Sequence, residues 1–118
     1  RYNYTRWLEF NSFTMIYVVK IKSEYDDLDK YKHIDGDIYY CKRNTDVWHN
    51  PYGPAYISDE CIIYFIEDKY HRLDGPARIF KSGYEQYWIN GRQLNKEDFE
   101  KHPERLNFIG KGYLLCIL

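Results

Sequence analysis

The feature that most constrains this chain is an internal repeat. Trp48 to Ile57 reads W-H-N-P-Y-G-P-A-Y-I, and Tyr70 to Ile79 reads Y-H-R-L-D-G-P-A-R-I. His49 aligns with His71, Gly53-Pro54-Ala55 with Gly75-Pro76-Ala77, and Ile57 with Ile79, all at an offset of 22 residues. Further on, Phe65-Ile66 aligns with Trp88-Ile89 at an offset of 23. The second copy therefore carries one extra residue, placed in Lys81-Ser82-Gly83 opposite Asp59-Glu60. Self-similarity at this period marks a supersecondary unit that stacks on its neighbours.

Each piece of the repeat has a mechanical meaning. A glycine before proline is pushed to extended geometry, so Asp74-Gly75-Pro76 is a turn that delivers the chain into a strand. Ala77 to Phe80 is that strand. Side chains alternate with period two, so Ala77 and Ile79 share one face, as do Ala55 and Ile57; this is the expected core face. Lys81-Ser82-Gly83 reverses the chain, with Gly83 free to take positive φ. Tyr84 to Ile89 is the return strand, rich in aromatic and branched residues. Asn90-Gly91 is a strong hairpin signal, and Glu67-Asp68 holds the same slot in the first copy.

The run H-R-L-D-G-P-A, followed by an aromatic strand and W-I-N-G, resembles the MORN-like repeats of tailed phages and large DNA viruses. The resemblance covers roughly Val47 to Leu106. The second copy matches well. The first is degenerate, with Asn50-Pro51-Tyr52 where the second has Arg72-Leu73-Asp74. The resemblance implies strings of β-hairpins stacked into an elongated sheet. It also implies an ending in which W-x-x-N-G leads into a short helix, matched here by Gly91 to Phe99. It implies no particular activity.

At 118 residues the chain is expected to be one domain, all-β or β-rich: stacked antiparallel hairpin repeats with a short C-terminal capping helix. Residues 1–14 form an aromatic arm, carrying Tyr2, Tyr4, Trp7, Phe10 and Phe13 at a spacing that shifts from two to three. The arm docks either on a partner or on the end of the sheet. Residues 15–46 hold strands at Met15 to Ile21 and Ile38 to Lys42, with a decayed repeat start at His33-Ile34-Asp35-Gly36-Asp37. Ser23 to Lys32 is either a short helix capped by Ser23 or a charged loop. Residues 47–69 and 70–94 are the two repeats, with Cys61 to Ile66 as one long strand. Residues 95–106 are the capping helix: Asn95 caps it, Glu97 and Asp98 suit its positive end, and Pro103 interrupts or ends it. Residues 107–118 carry a turn at Gly110-Lys111-Gly112 and a terminal strand, Tyr113 to Leu118.

Charge narrows the partners. Lys and Arg number 17 against 18 Asp and Glu, a near balance that argues against strong non-specific nucleic-acid binding. No polybasic membrane patch stands out, and no apolar run approaches a membrane span. Cys41, Cys61 and Cys116 are an odd, widely spaced set without C-x-x-C, which argues against a zinc site or a disulfide framework and for a reducing cytosol. The opening residues carry no signal-peptide pattern. The chain opens on Arg1, which leaves upstream residues or a start at Met15 as alternatives.

The candidate chemistry reads as structural. Two strands per repeat put His49 and His71 about 10 Å apart, whereas zinc ligands stand about 2 Å from the metal. Each histidine is expected to serve its own turn, with His71 reaching Asp74. The structural set is His49, Gly53, Pro54, His71, Asp74, Gly75, Pro76, Asn90 and Gly91. His33 with Asp35 imitates a catalytic pair, and Cys41 or Cys61 a nucleophile, but no nucleophile elbow, metalloprotease helix or phosphate loop accompanies them. No catalytic residue, metal or cofactor is expected.

Fourteen tyrosines exceed what so small a core needs. If alternation holds, Tyr56, Tyr64, Arg78 and Tyr87 point away from the Ala/Ile face. They form either a protein-binding surface or braces between neighbouring strands on a wet face; a single-strand nucleic-acid platform lacks its basic groove. The expected role is a non-catalytic protein-interaction module. It is either a viral or phage structural or accessory protein in a larger assembly, or a small effector that binds and inhibits a host protein. The first places it in a virion, the second in the host cytosol. A metal-dependent or Cys/His enzyme is the alternative from a different class.

Overall fold

The computed structural model describes residues 2–11 and 14–117, with side chains over 18–111. In chain order the elements are β1 (Tyr2–Asn11), β2 (Thr14–Ile21), β3 (Leu28–His33), β4 (Ile38–Lys42), β5 (Tyr56–Ile57), β6 (Cys61–Ile63), β7 (Phe65–Ile66), β8 (Lys69–Tyr70), β9 (Arg78–Phe80), β10 (Glu85–Ile89) and β11 (Arg92–Leu94), then α1 (Lys96–Glu100) and α2 (Pro103–Ile117). Nine strands make one antiparallel sheet in the order β1-β2-β3-β4-β5-β6-β9-β10-β11, and β7 and β8 form a separate hairpin. The fold is β-rich and hairpin-built, as the repeat predicts.

The two repeats are wired alike. His49 N–H donates to the Tyr40 carbonyl and His71 N–H to the Tyr64 carbonyl, both at 3.1 Å. Tyr40 N–H meets the Ala55 carbonyl and Tyr64 N–H the Ala77 carbonyl, both at 2.8 Å. Asp68 N–H reaches Trp48 and Gly91 N–H reaches Tyr70, both at 2.9 Å. Each corner thus ties the preceding strand to its own hairpin. Backbone groups taken out of water need such partners, which is why the pattern recurs with the sequence.

Hairpin turns follow the same logic. Asn90 and Gly91 take φ values of 51° and 81°, and Glu67 and Asp68 take 49° and 65°. Left-handed geometry at both central residues matches the twist of the flanking strands. Glycine relieves it at 91, whereas Glu67 and Asp68 are held there by side-chain and backbone bonds around the turn: Asp68 Oδ1 accepts Trp48 N–H at 2.7 Å.

The core is a ladder of rings on one side of the sheet. Val18, Tyr31, Tyr39 and Cys41 are buried together, flanked by Trp48 and Tyr56. Ala55, Ile63 and Phe65 continue the packing, flanked by Tyr70. Ring centroids run from Tyr31 to Tyr39 at 5.1 Å, on to Trp48 at 5.4 Å, to Phe65 at 5.1 Å, to Tyr70 at 4.9 Å and to Trp88 at 4.7 Å. Offset and edge-on contacts at these distances each add about 0.5–1.5 kcal/mol beyond area burial.

The expected faces are corrected by this packing. Ala55 and Ala77 are fully buried, but Ile57 and Ile79 are only half-buried. Cross-strand register aligns Tyr39, Tyr56, Ile63 and Arg78 in one row, and Ile38, Ile57, Ile62 and Ile79 in the next. The row with Tyr56 and Arg78 is the packed one. Ala55 is buried with Ile63 and Phe65 in the core, while Ile57, two residues on, is not. Cys61 to Ile66 is likewise not one strand: Tyr64 breaks it, and β6 and β7 join different sheets.

The ends differ from expectation too. Over the aromatic arm, β1 pairs with β2 from Tyr2↔Ile21 to Asn11↔Thr14, so the arm lies on the end of the sheet; Phe13 is outside the described residues. Ser23 to Asp27 is a turn, with Tyr25 N–H donating to Ser23 Oγ at 3.1 Å, rather than a helix. Asn95 caps α1 as expected, its side chain accepting Asp98 N–H at 2.7 Å. Of the two outcomes expected at Pro103, interruption is the one observed: α1 stops at Glu100, and Pro103 opens α2 at the first-turn position where proline suits a helix. The terminal strand expected over Tyr113 to Leu118 is therefore helix through Ile117, with Leu118 outside the described residues. Once α2 is nucleated, each added residue gains a hydrogen bond, which outweighs the modest cost of Gly110 and Gly112.

Candidate interaction surface

The residues singled out from the sequence have clear local tasks. His49 Nδ1 accepts the Glu67 N–H at 3.0 Å, and His71 Nδ1 accepts the Asn90 N–H at 3.0 Å. The two histidines do the same job one repeat apart: each satisfies an amide at its hairpin turn. His71 does not reach Asp74; Arg72 does, with Nε 2.8 Å from Asp74 Oδ1. Burial holds both histidines below their ordinary pKa, aided at His49 by Lys42 and opposed at His71 by Glu104.

Corner geometry also shows what the glycines do. Arg72 Nη1 donates to the Pro76 carbonyl at 3.1 Å, and in the first repeat Asn50 Nδ2 donates to the Pro54 carbonyl at 2.9 Å. A Cβ on Gly75 would stand 2.9 Å from the Arg72 guanidinium carbon, while one on Gly53 would meet nothing within 4 Å. Neither glycine has positive φ. Glycine at 75 leaves room for the Arg72 guanidinium, which would have to shift if a side chain were added.

The four candidate surface residues do not form one patch. Tyr56 stacks on Trp48 at 5.4 Å and donates its hydroxyl to Asp37 Oδ2 at 2.7 Å; burial and the Asp37 bond push its pKa up. Arg78 sits 4.9 Å from both the Tyr70 and Phe80 rings and donates to Gln86 at 3.1 Å. Tyr87 packs on buried Phe99 at 4.7 Å. Tyr87 also lines a recess beside β11, and Tyr64 lines a separate one between the repeats, with the Arg72 guanidinium 4.1 Å over its ring.

That recess, about 320 Å³, lies between the two repeat corners. Tyr52 comes from the first corner, Tyr64 and Ile66 from the strands between, Leu73 from the second corner, and Phe108 from α2. Its walls are braced. Tyr52 stacks on Tyr25 at 4.7 Å and donates to Asp27 Oδ2 at 2.8 Å, although 57% of it is exposed. Phe108 is 48% exposed. Sequence alone did not single out Tyr52, Leu73 or Phe108. The signal available was the degenerate corner Asn50-Pro51-Tyr52, where an aromatic replaces the acid of the second copy.

Among the described residues, the cysteines and His33 singled out from the sequence stand apart from one another. Cys41 is buried in the core, Cys61 lies 3.8 Å from Ser58 Oγ, and His33 pairs with exposed Asp35 at 2.9 Å. Among the described residues, no group of three His, Cys, Asp or Glu side chains stands together as a metal site. No described helix is long and apolar enough to cross a membrane. No protein family, curated protein or solved structure matches the chain.

Proposed function

We propose that the chain is a non-catalytic protein-interaction module that docks into a larger assembly through its inter-repeat recess. One observation carries this: the exposed Tyr52 ring is held by Tyr25 and Asp27 at a concave, polar-rimmed site that exposed Phe108 also lines. Rings fixed before binding lose little entropy on contact. His49 and His71 each use Nδ1 to hold a backbone amide at a hairpin turn, which fits a structural role for them. The likeness to MORN-like phage and viral repeats favours a structural or accessory role in such an assembly.

The test is site-specific crosslinking. A photoreactive residue at position 52 is expected to give one dominant adduct with a protein of the native assembly, abolished by Leu73→Ser with Phe108→Ser at unchanged melting temperature. An undiminished adduct in that double variant would refute the recess as the docking site.

A further inference from the structure

We propose that the strand edge at Tyr84–Gln86 takes an extended segment of another protein, carrying a lysine or arginine, as one more strand of the sheet. This deepens the interaction-module reading and rests on it.

The repeat itself defines the slot. In the first repeat β6 gives its outer edge to β9, pairing Cys61↔Phe80, Ile62↔Ile79 and Ile63↔Arg78. Tyr64 N–H to Ala77 and Lys81 N–H to Glu60, each 2.8 Å, complete that ladder. Antiparallel ladders bond at alternate residues, so Glu60, Ile62 and Tyr64 are the outward-facing positions. The offset of 23 makes Gly83, Glu85 and Tyr87 their equivalents.

Two of the three are taken: Gly83 N–H is bonded across its turn to the Phe80 carbonyl at 2.8 Å, which leaves Glu85 as the position without a partner strand. Tyr87 pairs with Leu94 of β11, so Leu94 occupies the place that Ala77 holds against Tyr64. The chain then turns at the Asn95 cap into α1 instead of continuing beside Glu85. The inner edge of Glu85 is paired to Ile79. Among the described residues no strand pairs with its outer edge. An open recess of about 490 Å³ lies there, lined by Tyr84, Glu85, Gln93, Leu94 and Lys96. Unpaired edge groups are a ready template for an added strand. The repeat-to-repeat interface thus continues past the last repeat with no occupant of its own.

Charge sets the chemistry of that occupant. The row Ile38, Ile57, Ile62, Ile79 ends on Glu85. Glu85 is exposed and forms no ion pair among the described residues; the Tyr87 hydroxyl approaches it at 3.4 Å. A side chain directly across an added strand comes within about 4.5–5.5 Å. Another isoleucine there would desolvate the carboxylate, whereas a cation pairs with it. Lys96, the other charge lining the recess, is exposed at the start of α1.

The experiment titrates ¹⁵N-labelled protein with acetyl-Thr-Lys-Val-Lys-Thr-amide and, separately, acetyl-Thr-Glu-Val-Glu-Thr-amide. The basic peptide is expected to shift the Glu85 amide most strongly and slow its exchange, with smaller shifts at neighbouring Gly83, whose N–H is already bonded to Phe80, while the acidic one does neither. Glu85→Lys is expected to weaken basic-peptide binding about tenfold and favour the acidic peptide, with the melting temperature unchanged. Equal binding of both peptides, or no response at Glu85, would overturn the proposal. A shift of that amide on simple concentration would overturn it too, because a second copy would then be the occupant. The crosslink at position 52 reads a different surface, so it stands or fails independently.

Discussion

Substituting alanine at Gly75 and at Gly53 should move the melting temperature in opposite directions, although the two glycines hold the same place in successive repeats. At 75 the new methyl would stand 2.9 Å from the Arg72 guanidinium, which must shift. Three contacts hold that group. Its cation–π contact with Tyr64 is worth about 0.5–1 kcal/mol, and its bond to the Pro76 carbonyl about 1 kcal/mol. The pair with Asp74, a residue 62% exposed on its side chain, adds a few tenths. Water recovers part of this, so the loss is about 1.5 kcal/mol, offset by roughly 0.5 kcal/mol from the stiffer unfolded chain. The net cost is about 1 kcal/mol, or about 4 °C for a chain of this size. At 53 the methyl meets nothing within 4 Å, leaving only the unfolded-state gain, about 2 °C upward. Calorimetry of the single variants and of Gly75→Ala in an Arg72→Ala background is the assay. In that background the cost at 75 should vanish. Equal shifts at both glycines, or an undiminished cost without Arg72, would refute the steric account.

Further expectations concern protons and rings. His49 and His71 are held below their ordinary pKa in the folded state, so the unfolded chain binds more protons as pH falls below about 6.5. Their stabilisation is complete above that pH and is lost as pH falls through the folded values. His49→Asn with His71→Asn, which keeps an acceptor near each Nδ1, should flatten the melting temperature between pH 7 and pH 5; an unflattened profile would place the sensitivity elsewhere. Tyr87→Ser should cost about 2 kcal/mol by opening a void on Phe99, measured by urea unfolding, and Tyr64→Ser about half that. If the two cost the same, Tyr87 is not part of the core.

The joints of this fold are visible in the residues, and its faces are not. Asn90-Gly91 announces a left-handed turn, and alignment alone carries that turn to Glu67-Asp68, neither of which would suggest it. The histidines' service to the backbone follows from their recurrence, but their partners lie 18 and 19 residues away, beyond the reach of a local reading that pointed His71 at Asp74. Face assignment failed because alternation assumes an unbroken strand, while β5 and β6 are two and three residues long and Tyr64 breaks the path. Tyr113 to Ile117 is strand-like in composition, yet it continues a helix begun ten residues earlier at Pro103. The uneven aromatic spacing in β1 has a counterpart in its register shifts at Tyr2/Tyr4 and Glu9/Asn11. The recess went unread because its walls come from four separate segments.

Because the backbone of each corner bonds to the strand before it and the hairpin after it, length is an adjustable property of this molecule. Splicing in another 22- or 23-residue copy would lengthen the sheet by two strand spacings, about 10 Å. The backbone pairing on either side would carry over, while the recess shared by the two corners and Phe108 would be rebuilt. Evolution or an engineer can treat such a ribbon as a ruler, setting the distance between its two ends one unit at a time.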